Sequence, residues 1–409
     1  MTQQTFRVSQ NAHVQIRSCH NRVGVVGWDD AQTVRVDDTA RQEGDTVFVE
    51  NIGKVNLRVP RAASVTISDC EADVRVDDLT GRVELTDIGG YVALRGLKGE
   101  TLVRDVEGDF VAKEVATLKC EGTLGDDVAL RAVQHFEADK IKGDVSLSDV
   151  GAVVIRELKG DLATHGACGA LTLGNADGDL NVRGIKGSLA ITHLEGDLIA
   201  AGVHGAVDAQ DVEGDAVISL AAVADVMLRA DGDVVLNLPV DANAEIELDA
   251  PHGDVRARVP GVQVVDGDES HLRGTIGSGG AKVQAESMHG DVIARAGVPH
   301  PHEHAHHFRM HFAGIGPQIA EEVTQSVAES LAECGCMPRR EGHEHRGKHR
   351  GWRFVRHWRA RDFEPQPESA KERSPRGPAP GSPERQAILD AIARGELSVD
   401  DAIRKLAGE

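Results

Sequence analysis

The chain has 409 residues, a formal charge of -21 and 3% aromatic residues. Such acidity excludes nonspecific binding of nucleic acid by the chain as a whole, and the scarcity of rings argues against a groove that stacks sugars. No stretch approaches the roughly 18 apolar residues of a spanning helix, and Met1 to Arg22 lack a basic start, an apolar run and a small-residue cleavage site, so the expected location is the cytoplasm.

Residues 1–62 read as irregular strands: Val14-Gln-Ile16, Val34-Arg-Val36, Val47-Phe-Val49 and Val55-Asn-Leu57-Arg-Val59 before Pro60. They are expected to form the first coils of a repeat array and to cap its open end, with Trp28 packed there.

From Ala63 to about Leu220 a nine-residue unit recurs with apolar residues at its third, fifth and eighth places. Four units run without a gap from Gly178, Gly187, Gly196 and Gly205, and the same register holds at Gly81, Gly90, Gly99 and Gly108. Apolar residues two apart lie on one face of a strand, and Gly at the unit boundary supplies a turn, so each unit is one short strand and one turn. Gly-Asp begins the units at Gly108, Gly143, Gly160, Gly178, Gly196, Gly214 and Gly232, with Gly125-Asp126 between the first two. Those steps of 17 or 18 residues mark alternate units. Two units therefore make one coil, and the chain is read as an all-β, flattened β-solenoid with two facing sheets and an apolar interior. Coils about 4.8 Å apart, roughly a dozen of them, would make a rod on the order of 55 to 60 Å long. Cys70 and Cys120 occupy apolar places and are expected to be buried thiols, while Cys19 and Cys168 stay unassigned.

The spacing also stacks Asp109, Asp126, Asp144, Asp161, Asp179, Asp197, Asp215 and Asp233 along one edge. Carboxylates about 5 Å apart repel, so the column should show raised pKa values, attract cations or splay into solvent; solvated turn residues are the leading reading and calcium the alternative.

After Ala221 the repeat loosens through Val234-Val-Leu236-Asn-Leu238-Pro239, Ala244-Glu-Ile246-Glu-Leu248, Gly274-Thr-Ile276-Gly-Ser-Gly-Gly280 and His289-Gly-Asp291-Val-Ile293. These Gly-Asp-Val turns, the Leu-Pro segment and the closing glycine-rich run resemble the bacterial toast-rack, or adhesin-like, domain over roughly Asn51 to Arg295. The resemblance implies a β-solenoid-like fold and, through some relatives, a link to cell-envelope stress systems; it carries no catalytic residue.

The solenoid is expected to end near residue 298. Residues 299–314 are His-rich, and His302, His304, His306, His307 and His311 with Cys334 and Cys336 form a candidate site for zinc, copper or nickel, set against a disordered polar linker; the only cofactor expected is such a weakly bound divalent metal. An amphipathic helix is expected within 315–335, opened at Pro317 and striped by Ile319, Val323, Val327 and Leu331, to cap the solenoid or to pair with a second copy. Residues 336–364 form a basic aromatic segment, in which Arg350, Trp352, Arg353, Arg356, Trp358 and Arg359 are the candidate contacts. Through 339–361 this segment suits anionic lipid or the chain's own acidic solenoid, and nucleic acid is not the expected partner. A Pro-rich linker spans 365–383.

Residues 384–409 read as two short helices, with Ile388, Leu389 and Ile392 facing Val399, Ala402, Ile403 and Leu406 across Gly395-Glu-Leu397. This hairpin resembles the SHOCT-like module, which implies self-association or a protein partner.

The sequence holds no nucleophile elbow, phosphate-binding loop, zinc-protease helix or dinucleotide fingerprint. The expectation is a non-enzymatic scaffold or interaction protein, cytoplasmic or peripheral to the membrane and associated with the cell envelope. A carbohydrate-active enzyme built on a solenoid and a metal-responsive protein using the His-rich segment stand as alternatives.

Overall fold

The computed structural model describes residues 3–297, and among them every helix-or-strand element is a strand. From Ser64 the strands fall alternately into two parallel ladders. The first ladder begins Ser64–Cys70, Val83–Ile88, Glu100–Val106 and continues coil by coil to Val226–Ala230. The second begins Asp73–Asp77, Val92–Arg95, Phe110–Lys113 and continues to Val234–Leu238. Pairing is in register, so like sits on like: Leu171 on Leu189 on Val207, and Leu173 on Ile191 on Ala209. One apolar core runs from Val14 to Ala294. The β-solenoid expected from the spacing is the fold observed.

The structure also explains why the spacing is three-five-eight rather than strict alternation. In the unit from Gly81, Val83, Leu85 and Ile88 are buried, and the residue before Ile88, Asp87, has φ 55°. A left-handed residue at the seventh place breaks the pleat, so the sixth and seventh side chains both stay outside and the eighth turns inward. The same place is left-handed at Asp69, Asp105, Gly122 and, in the second ladder, at Asp78, Gly96, Glu114, Asp149 and Gly166. Asp and Gly are the residues that tolerate this conformation best.

The boundary glycines have a different cause from the one expected. Gly81, Gly90, Gly99 and Gly108 are not among the residues of positive φ. Instead, a Cβ on Gly99 would overlap the carbonyl oxygen of Gly81, and one on Gly108 would lie 2.8 Å from that of Gly90. These positions require glycine because coils touch backbone to backbone there, not because the chain turns left-handed.

Both ends share a device that the repeat does not show. His13–Trp28 is one long strand that pairs with Ser64–Cys70 through His13 to Arg17 and with Asp73–Asp77 through Arg22 to Val26. Its other edge pairs along its length with Thr46–Pro60, so the second coil in the chain is the outer one in space. Thr46–Pro60 is in turn covered by the antiparallel strands Thr33–Val36 and Arg41–Glu43. Trp28 packs at this cap as expected: its Nε1 donates to the Thr33 carbonyl at 3.0 Å and the Arg35 guanidinium lies 4.4 Å from its ring centre. At the far end, Ala281–Ser287 and Val292–Ala296 slot between Val226–Ala230 and Ala244–Asp249, and between Val234–Leu238 and Val255–Arg258. Ala281–Ser287 and Val292–Ala296 are thus hydrogen-bonded on both edges.

Cys19, Cys70, Cys120 and Cys168 are all buried free thiols. Burial pushes Cys168 up to about 11 and Cys120 higher still, which keeps both protonated and inert at neutral pH.

Candidate functional site

The aspartates do stack, and from Asp127 onward their carboxylates accept from the next coil rather than standing free, although Asp233 is exposed. Asp161 N–H donates to Asp144 Oδ1 at 2.9 Å, Asp179 N–H to Asp161 Oδ1 at 2.8 Å, and Asp197 N–H to Asp179 Oδ1 at 2.9 Å. The series continues with Asp215 on Asp197 and Asp233 on Asp215, then crosses the rearranged end through Asp291 on Asp233 and Asp254 on Asp291. Each carboxylate satisfies a backbone donor of the next coil, which the turn would otherwise leave without a partner.

From Gly160 onward the glycine of the Gly-Asp pair belongs to the same interlock. A Cβ on Gly196 would lie 2.6 Å from Asp179 Oδ1, and one on Gly178 would lie 2.5 Å from Asp161 Oδ1. Glycine makes room for the carboxylate from the coil before, and aspartate reaches for the coil after. The register needs one correction: Asp127, not Asp126, is the member of the column, since Phe110 pairs with Val128 and Asp144 N–H donates to Asp127 Oδ1 at 2.9 Å. Further toward the start the column holds Tyr91, whose N–H donates to Asp73 Oδ1 at 3.1 Å.

The electrostatics arise from this packing. Asp161 and Asp197 sit above the usual carboxylate range, chiefly because they are partly buried; the backbone N–H from the next coil opposes the shift and the neighbouring aspartates add to it. Left-handed corner aspartates act in the same way, with Thr123 N–H on Asp105 Oδ1 at 3.0 Å and Ala167 N–H on Asp149 Oδ1 at 3.2 Å. The acidity of this column is therefore structural. Among the described residues no group of three or more His, Cys, Asp or Glu is arranged to hold a metal ion.

The outward faces of the two ladders differ. The first carries ion pairs that bridge coils: Arg104 takes Glu84 at 2.6 Å and Glu121 at 2.9 Å, Lys140 takes Glu157 at 2.6 Å, and Lys159 takes Asp177 at 2.7 Å. His193 Nδ1 lies 2.8 Å from Asp211, whose carboxylate raises the imidazole pKa. These groups are half-exposed at the surface, so each pair stabilises little. On the second face the outward residues of successive coils form two rows. One row is small, with Ala93, Val111, Ala129, Ser146 and Ala163; the other is Arg95, Lys113, Arg131, Ser148 and His165. Asn181 and Arg183 continue the rows one coil further. From Ala93 to Arg183 neither row holds a carboxylate.

The sequence-based candidates are not part of this geometry. His302, His304, His306, His307, His311, Cys334 and Cys336 lie outside the described residues, as do Arg350, Trp352, Arg353, Arg356, Trp358 and Arg359, the expected helix within 315–335 and the hairpin at 384–409. The basic row escapes a reading of the sequence because its members are a coil apart; its signal is the sixth place of the second-ladder units.

No curated protein matches the chain. A crystal structure of a candidate cell adhesion protein from Clostridium sporogenes ATCC 15579 aligns with 10% identity, covering 72% of this chain and 99% of that one, at a TM-score of 0.14. Residues 125–294, which hold the aspartate column from Asp127 to Asp291, match the model of the Toastrack DUF4097 family.

Proposed function

We propose that the chain is a non-enzymatic scaffold of the toast-rack kind, a rigid acidic β-solenoid that presents its outer surfaces to partners. The observation that carries this reading is the aspartate column: its carboxylates, the residues best suited in type to acid-base chemistry, are committed to backbone donors of the next coil. Among the described residues the remaining polar side chains are arrayed in rows along the faces, a layout that suits a binding surface. The family match over residues 125–294 supports the same reading.

The tail supplies the attachments in this proposal. The basic aromatic segment at 339–361 holds the solenoid to anionic lipid on the cytoplasmic side of the envelope, and 384–409 brings in a protein partner or a second copy. Support comes from the charge contrast between that segment and the rest of the chain. Buried unpaired thiols suit a reducing compartment.

The test is sedimentation of the full chain with phosphatidylglycerol vesicles, beside a variant carrying Arg350→Gln, Arg353→Gln, Arg356→Gln and Arg359→Gln. The full chain should pellet with lipid and the variant should not; equal behaviour removes the membrane from the proposal. Turnover of any offered polysaccharide by the full chain would remove the scaffold reading itself.

A further inference from the structure

We propose that the second-ladder face between Ala93 and Arg183 binds a linear acidic polysaccharide with one carboxylate per sugar, laid along the solenoid axis. The inference rests on the scaffold reading and names the partner class and the surface that takes it.

Charge is the first argument. Arg95, Lys113 and Arg131 stand on consecutive coils in register, succeeded by Ser148, His165 and Arg183. Arg95, Arg131 and Arg183 are in no ion pair among the described residues, and Arg131, His165 and Arg183 are exposed. Lys113 reaches Glu114 at 3.6 Å, an exposed contact that a ligand carboxylate can displace. The row ends at Asp77, which takes Arg75 Nε at 2.6 Å and also attracts Arg95. A protein of formal charge -21 that sets Arg95, Lys113 and Arg131 in one row with only weak, exposed partners, while its other face binds cations in close ion pairs between coils, presents a strip complementary to a polyanion.

Spacing selects the class of polyanion. Neighbouring coils bring their cations about 4.8 Å apart and alternate coils about 9.6 Å apart; successive rings of an extended twofold chain of uronic acids turn over, so its same-side carboxylates recur every second ring and meet alternate coils. Same-side carboxylates of an extended acidic peptide repeat at about 6.6 Å, two strand rises, and fall out of step within a few coils.

Shape agrees with charge. Ala93, Val111, Ala129, Ser146 and Ala163 form a low floor beside the cations, over which a flat ring can lie with its carboxylate toward the basic row. Recognition of this kind needs no aromatic platform, and the described residues offer few rings.

Titration of the full chain with oligogalacturonate tests the proposal, with Arg95→Gln/Lys113→Gln/Arg131→Gln compared with Lys119→Gln/Lys140→Gln/Lys159→Gln on the first face. The first triple should weaken binding at least about tenfold and the second less than about twofold, with melting curves showing both folded. The basic tail is present in every protein, so unchanged affinity in the first triple assigns binding to the tail and overturns the proposal. Equal losses in the two triples, no binding by the parent chain, or binding of uncharged dextran as tight as that of oligogalacturonate overturn it as well. Oligoglutamate of matched charge binding equally well overturns the polysaccharide assignment. If oligogalacturonate is cleaved, the scaffold reading fails while the surface stands; if only the strip variants behave like the parent, the strip fails while the scaffold stands.

Discussion

Asp197 N–H donates to Asp179 Oδ1 at 2.9 Å, and the same oxygen lies 2.6 Å from where a side chain on Gly196 would begin. One contact thus fixes three residues of two coils. The Gly196→Ala substitution should destabilise by roughly 1–3 kcal/mol, since either the carboxylate or the backbone must give way. Asp179→Ala should cost a similar amount by orphaning the Asp197 donor, whereas Asp179→Asn keeps an acceptor and should cost less. Urea denaturation of the three variants checks the order; an Asn variant as damaged as the Ala variant would show that charge, not the acceptor, matters.

The column also makes stability depend on pH. Asp197 titrates above its ordinary value in the folded chain, so the folded state binds the proton more tightly than the unfolded one. Ionisation of this group therefore disfavours folding above the folded pKa, and the penalty fades as pH falls through that value. Relative to the parent, Asp197→Asn should gain stability at pH 7 and lose the advantage near pH 3. Melting temperatures across that range decide the matter, and a difference that does not vary with pH rejects the raised value.

How much of this is readable from the sequence varies with the physical cause. The third, fifth and eighth places declare the interior because burial is periodic, and Val83, Leu85 and Ile88 are buried as the pattern requires. The reason for the boundary glycines is not readable, because close backbone contact and a left-handed turn require the same residue. Asp126 and Asp127 cannot be told apart in sequence, since adjacent aspartates beside a 17-residue step leave the register open. The inverted coil order at the two ends cannot be read at all: strand order depends on which edge a coil joins, and the in-chain pattern of Val14 or Val292 is the same either way.

The register itself is tested by neighbouring substitutions. Ile191 is 2% exposed between Leu173 and Ala209, while Thr192 points outward. Ile191→Asp places a carboxylate in the apolar core and should cost several kcal/mol, about the range for an unpaired buried charge, and Thr192→Asp should be nearly silent. Thermal denaturation of the pair is the check, and equal effects would contradict the assigned faces.

The coils near the two ends should be protected from exchange despite their place in the chain. A strand paired on one edge ordinarily exchanges its amides with solvent faster than one paired on both. Val292–Ala296 lies between Val234–Leu238 and Val255–Arg258, and His13–Trp28 lies between Thr46–Pro60 and the strands Ser64–Cys70 and Asp73–Asp77. Their amides should exchange as slowly as those of Leu189–Leu194 in the middle of the array. The outer strands Val262–Gly267 and Arg41–Glu43, paired on one edge, should exchange first. Hydrogen exchange read by mass spectrometry resolves these segments. Fast exchange at Val292–Ala296 with slow exchange at Ala244–Asp249 would mean that the coils keep chain order in space, and the interlock at the far end, with Asp291 between Asp233 and Asp254, would have to be withdrawn.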